Sequence, residues 1–347
     1  MAKGTRFVIG MDLGDRVVHV CVLDRRTGEI VGEGRVANTR KAIGEFFDEM
    51  ERSRVVMECG THSPWISRLL VSHGHEVIVA DARRLRAIWD SPKKTDRRDA
   101  QVLAQLGAGH PSLLHPVVHR NEAMQADMAV MRARERVVDA RTKLVNAARG
   151  AVKSLGYRLP PCSAASFHRR ARGSVPDELQ VALTPLLDAI EALTKTVDRY
   201  DEEVARLCRD VHPATKRLRQ VAGVGPLTAL AYVLVVHDPK RFSRSRDVGA
   251  YLGVVPRQDQ SGKIDRQLRI TKCGDRMLRR LLVQSAHYVL GPHGPDTAVK
   301  RWGLALAERG GKNAKKRAIV AVARKIAVLL HALWTKDAKY EPLARAA

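Results

Sequence analysis

K-K-T-D-R-R-D-A-Q-V-L-A-Q, residues 93–105, begins a helix whose first turn carries Asp96 and Asp99. Side chains three apart share a helical face, so two carboxylates stand together there. Such a pair is unfavourable without flanking cations or a bound divalent cation. Thr95 stands where an N-cap belongs, and acidic residues suit a first turn, so the pair alone fits a plain helix start equally well. Two upstream stretches shift the balance. The apolar run Phe7 to Leu13 carries Asp12, and Arg54 to Cys59 contains Glu58 near its end. Carboxylates are poor strand residues. Two at the ends of apolar strands and two on a later helix offer four oxygen donors suited to Mg²⁺ or Mn²⁺.

Working outward, residues 7–23 read as a hairpin with Gly14 and Asp15 at the turn, Val18, Val20 and Val22 sharing one face. A strand Ile30 to Val36, a helix Thr39 to Met50, the strand from Arg54, a helix Pro64 to Ser72, a strand His75 to Ala80 and a helix from Ala82 follow. Three antiparallel strands then lead into parallel crossovers. That order resembles an RNase H-like α/β sheet, where the first strand, the fourth strand and a later helix supply the acidic residues.

Arg120 to Leu155 reads as one long helix, and Gly156 to Pro176, with His168, Arg169, Arg170 and Arg172, as an exposed basic loop. From Leu179 to Leu207 apolar residues recur at spacings of 4 and 3, a coiled-coil pattern. Its partner is either the preceding helix of the same chain or a second subunit. Pro185 is expected in the first turn of this helix with Thr184 as N-cap, leaving Leu179 and Leu183 on a short separate segment. Beyond Pro213 a mainly helical unit begins. Gly223 and Gly225 punctuate two apolar helices in the manner of a helix-hairpin-helix, whose turn offers backbone N–H groups to phosphate. Between Lys263 and Arg280 seven basic residues face two acidic ones. Arg257, Lys263, Arg266, Arg269, Lys272, Arg276 and Arg279 are therefore candidate nucleic-acid contacts, with Arg169, Arg170, Lys315 and Lys316. The apolar run Ile319 to Leu333 reads as core. The expected division is residues 1–118, a helical connector 119–212 containing the basic loop 156–176, and residues 213–347.

The composition agrees with a polyanionic partner. Lys+Arg number 61 against Asp+Glu 37, a formal +24, while 45% hydrophobic residues argue against disorder. No run approaches the ~20 consecutive apolar residues of a membrane span, and no signal peptide is legible, so a cytoplasmic, nucleoid-associated protein is expected. Five scattered cysteines, without a Cys-x-x-Cys pair, indicate neither a disulfide framework nor a zinc site. Ile9-Gly-Met-Asp-Leu-Gly also resembles the first phosphate loop of actin-like ATPases and sugar kinases. No second phosphate loop is evident, and +24 is odd for a metabolite enzyme.

Taken together, Gly-Met-Asp-Leu-Gly at 10–14, Met-Glu-Cys at 57–59, Lys-Thr-Asp-Arg-Arg-Asp-Ala at 94–100, Ala-Gly-Val-Gly-Pro at 222–226, Pro-Arg-Gln-Asp-Gln-Ser-Gly at 256–262 and Cys-Gly-Asp-Arg-Met-Leu-Arg-Arg-Leu-Leu at 273–282 resemble DEDD insertion-sequence transposases of the IS-one-ten type, with its IS-eleven-eleven branch. The motifs stand in the family's order over nearly the whole chain. The resemblance implies a RuvC-like magnesium site at Asp12, Glu58, Asp96 and Asp99, with Ser261 as the nucleophilic serine of a C-terminal transposase domain. It also implies double-stranded DNA partners (element end and target), a structured guide RNA and a homo-oligomer, dimer or tetramer. By residue type alone Ser-Gly is a routine turn, and Ser285, within an apolar helix, is expected to be buried. The alternative is a junction-resolving two-metal nuclease without a covalent intermediate.

Overall fold

The computed structural model describes residues 5–82, 84–85, 95–261, 264–336 and 339–343. The helix expected from Ala82, the lysines at 93 and 94, and Lys263 lie largely or wholly outside these residues. The chain forms two compact units, Met1–Arg120 and Asn121–Ala347.

In the first unit β1 (Phe7–Leu13), β2 (Val17–Asp24), β3 (Ile30–Ala37), β4 (Arg54–Glu58) and β5 (Glu76–Ala80) form one sheet of order β3-β2-β1-β4-β5. β1, β2 and β3 pair antiparallel, while β4 runs parallel to β1 and β5 to β4. This is the mixed α/β architecture the strand order implies, consistent with an RNase H-like domain. Helices α1 (Arg40–Asp48) and α2 (Ser63–Ser72) cover one face, and α3 (Asp96–Gly109) packs against the central strands.

The period of two decides which residues meet which helix. Ile9, Met11, Val18, Val20, Val22, Val55 and Met57 share a core with Ile43 and Phe47 of α1 and Ile66 and Leu70 of α2. Val8, Val56, Cys21 and Leu23 instead pack toward Leu103, Ala100 and Ala104 of α3. By the same alternation, Asp12, His19 and Glu58 belong to the α3 face.

Two glycines let α3 lie directly on the sheet. A Cβ at Gly10 would stand 2.0 Å from the Ala100 carbonyl oxygen and 2.6 Å from the Ala104 nitrogen. One at Gly107 would meet Val56 Cγ2 at 2.4 Å. Gly10→Ala is therefore expected to push α3 off β1, at about 1–3 kcal/mol or more of overpacking, read as a lower urea midpoint. An unchanged midpoint would show that the helix shifts without cost.

Three imidazoles are held neutral by burial. Desolvation lowers the pKa of His75, whose Nδ1 accepts the Ser53 N–H at 3.2 Å, and of His119 and His168. The unfolded chain takes up these protons below about 6.5 and the folded chain resists, so U binds more protons there. Stability should accordingly fall as pH drops below that value. A melting temperature flat from pH 7.5 to 5, or equal acid sensitivity in His75→Gln, would contradict this.

The second unit starts with α4 (Glu122–Lys153), capped by Asn121, which runs antiparallel to α6 (Gln180–Arg206). Arg134 donates to Asp201 through Nε (2.6 Å) and Nη2 (3.1 Å), and Arg141 donates to Thr194 Oγ1 at 3.4 Å. The heptad seam faces α4 of the same chain. Its buried positions are Leu183, Leu187, Ile190, Thr194, Val197 and Val204, whereas Leu186, Leu193 and Tyr200 of the expected 4-3 series are only half-buried. Pro185 lies inside α6, which starts at Gln180, so the expected cap at Thr184 is corrected; the Thr184 hydroxyl meets the Gln180 amide oxygen instead. Leu179 and Leu183 are also not on one short segment. The stretch expected as an exposed basic loop contains helix α5 (Phe167–Arg172), whose Phe167 and Ala171 join Val145, Ala148, Leu183 and Leu187 in a small core. Its apolar residues pin it down, and Arg172 pairs with Asp188 and Glu191.

The main core surrounds α8 (Pro226–Val236), preceded by the short α7 (Ala214–Leu218). Every residue from Thr228 to Val236 is buried, and Tyr232 donates its hydroxyl to the Ala327 carbonyl at 2.7 Å. Around it stand α9 (Asp247–Tyr251), α10 (Arg276–Leu290), α11 (Ala298–Glu308) and α12 (Ala314–Lys336). Met128 and Met131 of α4 enter the same core. By length and composition α12 would suffice to cross a bilayer, contrary to the expectation that no run would. Val322, Ala323, Ile326 and Leu330 spend that hydrophobicity inside this core.

One element escapes the helical expectation for residues 213–347. β6 (Pro256–Ser261) and β7 (Ile264–Ile270) form an antiparallel hairpin. All of β6 is exposed, so no buried alternation announces it.

Candidate active site

Asp12 lies near the carboxyl end of β1, and the hairpin register sets it opposite His19 of β2. Glu58 closes the parallel neighbour β4. Across from them Thr95 caps α3, its hydroxyl accepting the Arg98 N–H, so that Asp96 and Asp99 fall in the first turn as expected. The helix dipole favours carboxylates there. Ligand atoms of Asp12, His19 and Asp96 lie within 4.8 Å of one another. His19 Nδ1 is 3.6 Å from Asp96 Oδ2, an ion-pair separation rather than a hydrogen bond. Asp99 is only 7% exposed, whereas the Asp96 side chain is 67% exposed. One carboxylate thus reaches solvent beside one packed under the helix.

A clamp beside the site orients α3. Glu33 of β3 accepts from Arg97 through both carboxylate oxygens and from Gln101 Nε2 at 2.6 Å. The Arg97 hydrogen bond, then Gln101, lowers the Glu33 pKa. Cys21, opposite Glu33, is pushed up to about 11 by burial and then by the Glu33 charge. It offers no thiolate near neutral pH. The cluster therefore offers two carboxylates and an imidazole, oxygen and nitrogen donors able to hold a divalent cation. Ser63 fixes the turn after Glu58: its hydroxyl lies 2.9 Å from the Gly60 carbonyl and from His119 Nε2, and accepts the Gly60 N–H at 3.0 Å.

His19 and the Glu33 clamp are absent from the sequence-based candidates. His19 had a signal: if Val18, Val20 and Val22 take one face, position 19 takes the other, with Asp12 opposite once the hairpin register is known. Glu33 had none, since residues 33 and 97 meet only through the tertiary fold.

In the second unit Ser261 is exposed at the end of β6, paired with Ile264. Arg266 stands opposite Asp259, two residues from Ser261 on the period-two face. Ser285 is buried, its hydroxyl donating to the Leu281 carbonyl at 3.1 Å. Gly223 has φ +78° in the turn between α7 and α8, and a Cβ there would stand 2.8 Å from the Ser285 carbonyl oxygen. The turn closes on itself through Val221 and Val224 N–H bonds, with Gly225 as the α8 N-cap. Arg257, Arg266, Arg276 and Lys315 are exposed, as are Arg169 and Arg170 of α5. Arg269, Lys272 and Lys316 line one groove. Arg279 is engaged within the fold through one of its nitrogens. Its Nη1 donates to the Leu252 carbonyl at 3.1 Å and the Gly274 carbonyl at 3.3 Å, and also to that of Cys273. It clamps the turn where Gly253 and Gly274, both with positive φ, bring two backbones together.

A mixed sheet with an acidic, cation-competent cluster at its carboxyl edge, joined to a basic helical unit, has the make-up of a metal-using enzyme that acts on nucleic acid. A DEDD transposase domain matches residues 9–156, and a domain of the "Transposase IS116/IS110/IS902 family" matches residues 215–299. The transposase for insertion sequence element IS1111A of Coxiella burnetii is 31% identical over 343 residues, covering 96% of this chain and 91% of that protein. A probable family 20 transposase of Pseudomonas aeruginosa is 30% identical over 96% of this chain and 98% of its own length. A pilin gene-inverting protein of Moraxella lacunata is 20% identical over 96% of this chain and 97% of its own length. The chain belongs to the IS110/IS116 family of insertion-sequence transposases. It is a DNA transposase enzyme, and its DEDD domain points to divalent-metal use.

Proposed function

We propose that this transposase cuts and rejoins DNA strands with a serine nucleophile, Ser261, assisted by a divalent ion held by Asp12, Glu58, Asp96 and Asp99. The observation carrying it is the meeting of Asp12, His19 and Asp96 beside the carboxyl ends of β1 and β4. Bound Mg²⁺ or Mn²⁺ would neutralise the scissile phosphate and stabilise the departing oxygen. The chain supplies the remainder. Asp12 and Glu58 fix two donors on the rigid sheet, and Asp96 and Asp99 add two from the capped helix. His19, 3.6 Å from Asp96 Oδ2, would add a ring nitrogen beside them. Ser261 Oγ gives up its proton to solvent as it attacks phosphorus, the P–O bond to one strand breaks, and the departing alkoxide takes up a proton to leave as a hydroxyl. One ester replaces another, so a second strand can reverse the exchange without an outside energy source. Exposed Arg257 and Arg266 offset charge on the crowded phosphate.

Residues 1–118, 119–212 and 213–347 would serve metal chemistry, helical assembly and serine chemistry respectively. The Gly223–Gly225 turn would meet a phosphate as a helix-hairpin-helix does, and Arg169, Arg170, Arg269, Lys272, Arg276, Lys315 and Lys316 would hold nucleic acid. A structured RNA would guide the choice of target, and two or more copies would bring the element end and the target together on the nucleoid.

The test is strand exchange on labelled element-end and target duplexes with purified protein, with and without EDTA and ribonuclease. Exchange that needs a divalent ion and stops when bound RNA is digested is expected. Exchange in EDTA removes the metal, and exchange after digestion removes the guide. Affinity for DNA should fall about 10³- to 10⁵-fold between ~50 and ~200 mM salt if ~6–10 phosphates are contacted. A flat response would exclude the basic surface as the binding face.

A further inference from the structure

A groove of about 1270 Å³ lies in the second unit, lined by the β6–β7 hairpin and α12, with Trp302 of α11 among its walls. Arg269, Lys272, Lys316, Arg317, Arg324 and Lys325 line it, and among the described residues no carboxylate does. Between those cations are apolar side chains: Leu268, Val320, Ala321 and Val328. On α12 the lining positions 316, 317, 320, 321, 324, 325 and 328 repeat at helical spacing, so charge and hydrocarbon alternate along one stripe. From Lys316 to Val328 that stripe runs about 18 Å at about 1.5 Å per residue. Trp302 is 37% exposed, and Lys325 Nζ stands 4.7 Å from its ring centroid.

A duplex offers such a groove only its phosphates, and the apolar surface between the cations would stay in contact with water. An unpaired strand satisfies both components, its bases covering hydrocarbon and stacking on indole while its phosphates meet the cations. We propose that this groove holds a short unpaired stretch of DNA, about five stacked nucleotides at ~3.4 Å each, with a base on Trp302. DNA is favoured over RNA by the lining chemistry. Among the described lining residues Asn313 is the one amide and none carries a hydroxyl, so little besides cations is present there to recognise a ribose 2′-hydroxyl. The inference rests on the strand-cutting reading only for the origin of the unpaired strand, because cutting and exchange open base pairs.

The test is fluorescence anisotropy of the full-length protein in EDTA, where cutting does not proceed, so the result is independent of the carboxylate site. The probes are a fluorescein-labelled twenty-nucleotide oligo-dT, the matching oligo-rU and a duplex of equal length. Trp302→Ala is expected to weaken oligo-dT binding about 5- to 100-fold, the scale of one lost base stack, while duplex affinity stays within about twofold. Trp302→Phe should keep most of the affinity. Lys316→Gln with Arg317→Gln should flatten the salt slope for oligo-dT by about 1.4, two phosphates at ~0.7 each. With a native melting temperature, unchanged oligo-dT binding in Trp302→Ala overturns the proposal. So does an equal loss for duplex, or tighter binding of oligo-rU than of oligo-dT.

Discussion

Asp12→Asn is expected to lower strand cleavage by about a thousandfold or more, while DNA affinity and melting temperature stay close to those of the parent. The substitution preserves shape and removes one anionic oxygen from a site where Asp12, His19 and Asp96 offer ligand atoms within 4.8 Å. A neutral amide is a weaker donor to a hard divalent ion, so occupancy falls along with stabilisation of the phosphate. Affinity should persist because a formal +24 supplies binding elsewhere in the chain. Glu58→Ala, Asp96→Ala and Asp99→Ala should lose cleavage likewise. His19→Gln should lose less, about 10- to 100-fold, because it removes a ring nitrogen and leaves every carboxylate in place. A labelled duplex, a divalent-metal titration and a denaturing gel read all five. Full cleavage by an Asp96→Ala, Asp99→Ala double variant would remove the metal site from the mechanism.

A covalent link between Ser261 and a DNA phosphate is the second expected result. Quenching a running reaction in denaturant should leave labelled DNA attached to protein, and peptide mass should locate it on residue 261. Ser261→Ala should abolish the adduct and strand exchange together, since a methyl group has no lone pair to attack phosphorus. Ser261 is suited to this by position, exposed at the end of a hairpin strand, two residues along from the Asp259–Arg266 cross-strand pair. Ser285 is not, because its hydroxyl is buried and donated to the Leu281 carbonyl. An adduct that survives Ser261→Ala, or maps to a tyrosine, would transfer the role to another residue. Cleavage with no adduct at any time would favour the two-metal nuclease, in which water attacks directly.

Local rules acting on neighbours in sequence made much of this protein legible. Alternation at Val18, Val20 and Val22 determines the two faces of that strand because strand side chains repeat every two residues, but only the register of β1 on β2 and β4 puts Asp12, His19 and Glu58 on the same face. Thr95 before Asp96 determines where α3 starts, because a hydroxyl there satisfies an otherwise unpaired N–H. The 4-3 spacing from Leu183 determines a long helix with one apolar stripe, but not its partner. Hydrophobic burial has no direction, so the stripe serves α4 of the same chain as readily as a second subunit, and only the tertiary structure chooses α4. The exposed, polar β6 carries no periodic burial, and pairing with β7 alone reveals it. Long-range contacts decide what charge does as well. Glu33 reaches Arg97 across 64 positions, and Arg279 donates through one of its nitrogens to the Leu252, Cys273 and Gly274 carbonyls. A cation in a sequence is only a charge; the fold determines whether backbone oxygens or solvent receive it, because an unpaired carbonyl in a tight turn competes directly with any phosphate outside.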